Sequence, residues 1–192
     1  MHDPEELLRF WIEDVGPDGW YKKDPALDAR IREGYEPVWR AAQSKSGLGW
    51  STTPRGMLAL VILLDQFPRN MFRDAGTAFS TDAAARSVAK KAIERGWDMR
   101  IQEPERGFFY MPLMHSECLA DQERCVRLML ERMPVSGPGA MLHARAHREV
   151  IRRFGRFPHR NGDLGRATTS SEQAFLETGG YGALVREIQA AA

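Results

Sequence analysis

Three groups of side chains in this chain have the types and spacing of working chemistry. The first is a set of arginines, Arg69, Arg73, Arg156 and Arg160. A guanidinium offers a planar fork of donors that fits a carboxylate or a phosphate in a bidentate way. Leu64-Asp65-Gln66-Phe67-Pro68-Arg69-Asn70 and Gly155-Arg156-Phe157-Pro158-His159-Arg160-Asn161 deliver Arg and Asn into the turn beyond a Phe-Pro pair. Asp65, Arg69 and Asn70 from one segment, with Arg156, His159, Arg160 and Asn161 from the other, are therefore the candidate lining of a pocket for a small anion. The structural alternative is internal pairing of these arginines with Asp65, Glu117, Asp121 and Asp163.

The second group is His115, Glu117 and Asp121. Two carboxylates four residues apart share a helix face. Neighbouring carboxylates separate in pKa and supply an acid and a base, while a histidine adds a group that titrates near neutral pH. These residues and His147 are the candidate catalytic set of a hydrolase. Acids at a helix start also complement its dipole, and Ser116 reads as a cap there. The third group is His143 and His147. Their spacing is that of helical metal ligands, but His-Ala-Arg-Ala-His lacks the glutamate of the zinc-protease motif. Hydrogen-bonded interior histidines are the better reading, and neither a metal nor a cofactor is expected.

Helices must position all of these residues. Asp3-Pro4-Glu5-Glu6 opens a first helix to about Asp14, which Gly16-Pro17 stops. Asp24-Pro25 opens a second, to about Gln43, before a Ser46-Gly47-Leu48-Gly49 loop. Thr53-Pro54 opens a third, and Pro68 ends it. Thr81 caps a fourth, which Gly96 closes. A fifth starts near Pro104 and bends at Pro112, and a sixth runs from about His115 to Met133. Gly137-Pro138-Gly139 is a break. A seventh helix ends at Phe154, Ser170 or Ser171 caps an eighth, and a ninth starts near Gly182.

No strand is expected. The fold class is all-α: a single helical domain over residues 1–192, a helical array of about eight or nine helices. The third helix is apolar nearly all round, from Met57 to Leu64, and so is buried on every side. Asp65 and Gln66 follow directly and are expected to be partly buried, with Asp65 needing a partner. On the seventh helix, Val150, Ile151 and Phe154 mark the apolar stripe, into which His143 and His147 both fall. Aligning Phe67 with Phe157 aligns Leu64 with Phe154, which suggests two similar local structures.

Composition narrows the function classes. The 27 basic and 26 acidic residues leave a net charge of +1, so nucleic acid and membrane surfaces are not expected partners. The longest strongly apolar run is far short of the roughly 20 residues that span a bilayer, and the N-terminus lacks the pattern of a secretory signal. Cys118 and Cys125, seven apart on a helix, are too distant for a disulfide and read as reduced core residues. A cytoplasmic location is the expectation that follows. Trp11, Trp20, Trp39, Trp50 and Trp97 read as core and interface anchors. Phosphate-binding, dinucleotide-binding and serine-nucleophile glycine motifs are absent.

Taken together, Leu63-Leu64-Asp65-Gln66-Phe67-Pro68-Arg69-Asn70, His115-Ser116-Glu117 with Leu119-Ala120-Asp121-Gln122-Glu123, and His147-Arg148 leading into Arg153 to Asn161 resemble domain-of-unknown-function family 924. The resemblance covers almost the whole chain and implies a tetratricopeptide-like helical fold. It implies no activity, substrate or catalytic residue. Glu149 stands one methylene longer than the Asp expected after the His-Arg pair. The leading functional expectation is a polar pocket for a small anionic ligand. The alternatives are a hydrolase using Glu117 or Asp121 with His115 or His147, and a non-catalytic scaffold for peptide or protein partners. A homodimer is also open.

Overall fold

The computed structural model describes residues 3–44 and 48–191, with Pro138 described by its backbone alone. Met1-His2 and the Ser46-Gly47 half of the expected loop lie outside the described residues. The chain is all-α, with no strand among the described residues. It divides into two compact units, Met1–Phe109 and Tyr110–Ala192.

The first unit begins as its sequence signals dictate. Asp3 accepts the Glu5 N–H at 2.9 Å and caps α1 (Pro4–Leu8). Such a cap is worth about 1 kcal/mol. A π-helical stretch, Arg9–Val15, carries the chain on to Gly16, whose φ of 66° suits a residue without a Cβ. Gly16-Pro17 thus stops the first helix, and a short turn α2 (Gly16–Gly19) follows. Asp24 caps α3 (Pro25–Ala42) through the N–H groups of Ala26 and Leu27. Thr53 caps α4 (Pro54–Val61) by accepting the Gly56 N–H at 3.0 Å.

Pro68 does not end the helical path. The chain widens into a second π segment, Ile62–Gln66, and continues as α5 (Phe67–Met71), with Pro68 in the first turn. Proline is harmless there because its missing N–H falls among the donors that a helix start leaves unpaired. Met57, Leu58, Ala59 and Val61 to Leu64 are all at most 3% exposed, whereas Leu60, expected to be buried with them, is half-buried. Phe67 is fully buried, with the Trp11 ring at 5.3 Å and the Tyr35 ring at 4.9 Å. Each such large side chain contributes roughly 1.5–3 kcal/mol by leaving water.

Thr81 stands at the N-cap of α6 (Asp82–Glu94) but does not cap it with its side chain. Its hydroxyl instead donates to the Leu64 carbonyl at 2.7 Å and accepts the Trp39 indole N–H at 3.1 Å. Trp11, Trp20, Trp39 and Trp50 are buried. Trp97 is partly exposed, with Arg95 over its ring. In place of a fifth helix from Pro104, the chain makes a 3-10 turn at Glu105–Phe109 and then the short α7 (Met111–Met114).

The second unit packs α8 (Leu119–Arg132) on α9 (Gly137–Phe154), and α9 on α11 (Gly180–Ala190). Its core joins Ala146, Val150, Ile151, Phe157 and Leu184, with Phe154, Phe175 and Tyr181 packed around them. Gly137 and Pro138 are the first turn of α9 and not a break before it. Gly155 ends α9 at φ 69°. The chain reaches Pro158 in an extended step and turns at Pro158–Arg160. The two Phe-Pro segments are therefore alike in sequence and different in conformation. A π-helical widening carries the first through its proline, whereas a left-handed glycine stops the second helix before its proline is reached. Thr169 caps α10 (Ser170–Glu177), where Ser170 or Ser171 was expected. The capping box formed with Glu172 decides the position. Cys125 is buried, but Cys118, expected in the core, is exposed at the N-cap of α8.

Candidate functional site

In the first unit the motif residues are held by ion pairs. Asp65 is fully buried and sits 3.5 Å from Arg69, which also lies 2.9 Å from Asp82 on α6 and donates to the Asp65 carbonyl oxygen. Asn70 donates to Asp28 of α3 at 2.8 Å. Arg73 grips the same Asp28 carboxylate with two bonds of 2.8 and 2.7 Å. Asp65, Arg69, Asn70 and Arg73 thus fasten the chain after α4 to α3 and α6. A buried carboxylate demands such a partner.

The second unit holds the remaining candidates. Residues 115–118 are not helical, because α8 starts only at Leu119. Ser116 stops the helix from starting earlier. Its hydroxyl accepts the Cys118 N–H at 3.2 Å and donates to Asp121 at 2.9 Å. Glu117 and Asp121 therefore do not share a helix face. Glu117 reaches the far end of the α9 loop instead. It accepts the Phe157 N–H at 2.7 Å and two bonds from Arg166, at 2.8 and 3.0 Å. Burial opposes the charge on Glu117, but Arg166 and the Phe157 N–H prevail and hold its carboxyl below the usual range.

Arg156 turns to a different acid. It holds the buried Glu172 at 2.6 and 2.8 Å and donates to the Ala167 carbonyl. Arg156 first, then the Thr169 N–H, draws the Glu172 carboxyl down to about 2. Asn161, 1% exposed, donates from Nδ2 toward Glu172 and Thr168, each at 3.3 Å. Arg156 and Asn161 belong to one cluster around Glu172.

A second cluster forms around the Phe157 ring. Arg160, 6% exposed, lies over that ring at 4.5 Å. His159 lies 5.6 Å from it and His147 5.5 Å from it, edge-on. The His115 ring is 6.1 Å from that of His147. Burial pushes the His147 imidazole down to about 3, helped by the neighbouring His115, Arg160 and His159. Burial and Arg160 push His159 down to about 4. Both rings are thus neutral at pH 7.

His147 is also fixed in its tautomer. Its Nδ1 lies 2.8 Å from the His143 carbonyl oxygen and 3.1 Å from the Tyr181 hydroxyl. That hydroxyl sits 2.7 Å from His143 Nδ1. His143, expected to point inward, is exposed, with its ring stacked on Tyr181. Among the described residues, no group of three or more His, Cys, Asp or Glu is arranged to hold a metal ion.

The structure brings His115, His147, His159 and Arg160 together. It assigns Arg156 and Asn161 to the Glu172 cluster, Glu117 to Arg166, and Asp121 to Ser116. Asp65, Arg69 and Asn70 lie in the first unit among Asp28 and Asp82. Arg166, Glu172 and Tyr181 went unread in the sequence. The Thr169-x-x-Glu172 capping box was a legible signal for one of them. Arg166 and Tyr181 carry no local pattern that would have marked them.

These features define an all-helical protein whose polar motif residues sit in small, well-bonded clusters. The chain belongs to the DUF924 family, bacterial proteins of unknown function, whose model matches residues 7–180. It is similar to a solved structure of a protein of unknown function, ATU0120 from Agrobacterium tumefaciens. The two are 40% identical and superpose with a TM-score of 0.84, over 91% of this chain and 97% of that one. No curated protein matches it. No helix among the described residues is long and apolar enough to cross a membrane.

Proposed function

We propose that the second unit binds a small oxyanion at the cluster of His115, His147, His159 and Arg160. The observation that carries this reading is the crowding of His147, His159 and Arg160 around Phe157, with His115 against His147. Positive charge there is dense enough to help hold two of the histidines neutral. Of the acids that act on His159, Glu117 and Asp163, Glu117 is gripped by two bonds from Arg166. An arriving anion relieves the mutual repulsion of the cluster and gains charge-assisted bonds.

The hydrolytic alternative needs Glu117 or Asp121 to move a proton. Glu117 already accepts three hydrogen bonds, and Asp121 is engaged by Ser116. Neither is poised as a base.

Titration calorimetry of the full chain with inorganic phosphate tests the reading. It predicts saturable binding of one phosphate, weakened about tenfold or more by Arg160→Gln and by His159→Gln. Absence of saturable binding, or variants that bind as the parent does, would contradict it.

A further inference from the structure

Resting on that anion-binding reading, we infer that the site selects an oxyanion that still carries a proton, of the hydrogen phosphate class, over a fully deprotonated one of the same shape such as sulfate. A carbonyl oxygen accepts hydrogen bonds and never donates them. The His147 Nδ1 lies 2.8 Å from the His143 carbonyl, so that nitrogen must carry a hydrogen.

The Tyr181 hydroxyl shares this hydrogen at 3.1 Å. Its own hydrogen is then directed to His143 Nδ1 at 2.7 Å. Every hydrogen on this face of His147 is thereby assigned. What remains is Nε2, which has no hydrogen-bond partner among the described residues. In a neutral imidazole with Nδ1 protonated, Nε2 presents a lone pair.

Adding a hydrogen to Nε2 would charge a largely desolvated ring. It would do so beside His115, which borders it at the end of α7, and beside His159 and Arg160 from the following turn. On its other sides stand Phe157, Tyr181 of α11 and His143 of α9. Glu117 does not act on this ring, being turned to Arg166. Of these neighbours only the His143 carbonyl favours an imidazolium, and burial with the push of His115, Arg160 and His159 outweighs it. The lone pair is therefore a fixed acceptor inside a site whose other members favour negative charge.

This combination sorts ligands. Sulfate brings oxygens that only accept, and one of them meets the His147 lone pair with no hydrogen between. Phosphate near neutral pH retains one or two hydrogens. It donates one to Nε2 while its remaining oxygens face Arg160 and His159. An acceptor that a bound anion shuts off from water without supplying a donor is left unmatched at a cost, so the hydrogen-bearing anion is preferred.

Calorimetry at pH 6.5 and constant ionic strength, with sodium phosphate and sodium sulfate as separate titrants, tests this. Phosphate is expected to bind about tenfold or more tightly than sulfate. The preference should shrink in His147→Gln, whose amide both donates and accepts. Equal binding of the two anions, or a preference kept in His147→Gln, would overturn the inference and leave the anion reading standing. No binding of either anion would overturn the reading itself.

Discussion

His147 gives its Nδ1 hydrogen to the carbonyl oxygen of His143, one helical turn earlier, at 2.8 Å. That bond fixes which nitrogen of His147 faces outward as an acceptor. The Tyr181 hydroxyl joins both Nδ1 atoms and holds the arrangement from α11.

Stability should fall as the solution turns mildly acidic. His147 has a folded-state value near 3 against an ordinary 6.5, because burial disfavours its charged form. A histidine depressed in this way is fully stabilising above its unfolded value. That contribution is lost as pH drops from about 6.5 toward 3, because the unfolded chain takes up the proton first. Between pH 7 and pH 5 the loss from His147 alone is about 2 kcal/mol. Urea denaturation across this range measures it, and His147→Gln should flatten the profile.

A second acid step is expected lower down. Glu117 and Glu172 are held ionised by Arg166 and Arg156. Both carboxyls are depressed, so their contribution is present above the unfolded value of about 4.5 and fades below it. Glu117→Gln at pH 7 should cost about 2 kcal/mol, because it weakens hydrogen bonds to a charged arginine and to the Phe157 N–H. Equilibrium unfolding of the variant checks the size of the effect.

The first unit rests on the Asp65–Arg69 pair. Arg69→Ala would remove a cation that lies 3.5 Å from a fully buried carboxylate. Breaking an interior pair from one side costs roughly 3–5 kcal/mol, with the lower end expected because Asp65 retains its bond from Gln66. A melting temperature close to the parent's would show that this pair is not essential.

Gly56 should tolerate no side chain. A Cβ there would lie 2.2 Å from the Trp50 carbonyl oxygen, a backbone atom with little freedom to move. Gly56→Ala is expected to destabilise by about 3 kcal/mol or to shift the start of α4. Urea denaturation together with circular dichroism distinguishes the two outcomes.

Much of the helical fold was readable because its signals are local. Asp3, Asp24 and Thr53 cap where their types and the prolines after them say they should. The apolar run from Met57 told of burial because so few of its residues could face water, and of the run only Leu60 is left half-buried. Sequence misjudged positions where a long-range bond outcompetes a local one. Thr81 forgoes its cap for Leu64 and Trp39, and Ser116 delays α8 by engaging Cys118 and Asp121. The candidate site was legible in part: His147, His159 and Arg160 stand in the motifs. Tyr181, which bonds His147, and Arg166, which grips Glu117, come from a helix and a loop whose approach no local pattern encodes. Arg156 illustrates the same limit. Its pairing with an acid was foreseeable, but the choice of Glu172 depended on how the chain returns after Asn161.

The most direct test of the account is nitrogen-15 spectroscopy of the histidine imidazoles, recorded on the full chain with and without phosphate. The account predicts a neutral His147 at pH 7 with its hydrogen on Nδ1. Its unprotonated Nε2 should move toward the hydrogen-bonded position as phosphate is added, with His115 and His159 shifting along the same titration. A His147 protonated on Nε2 in the free protein, or imidazole signals that do not respond to phosphate, would contradict it.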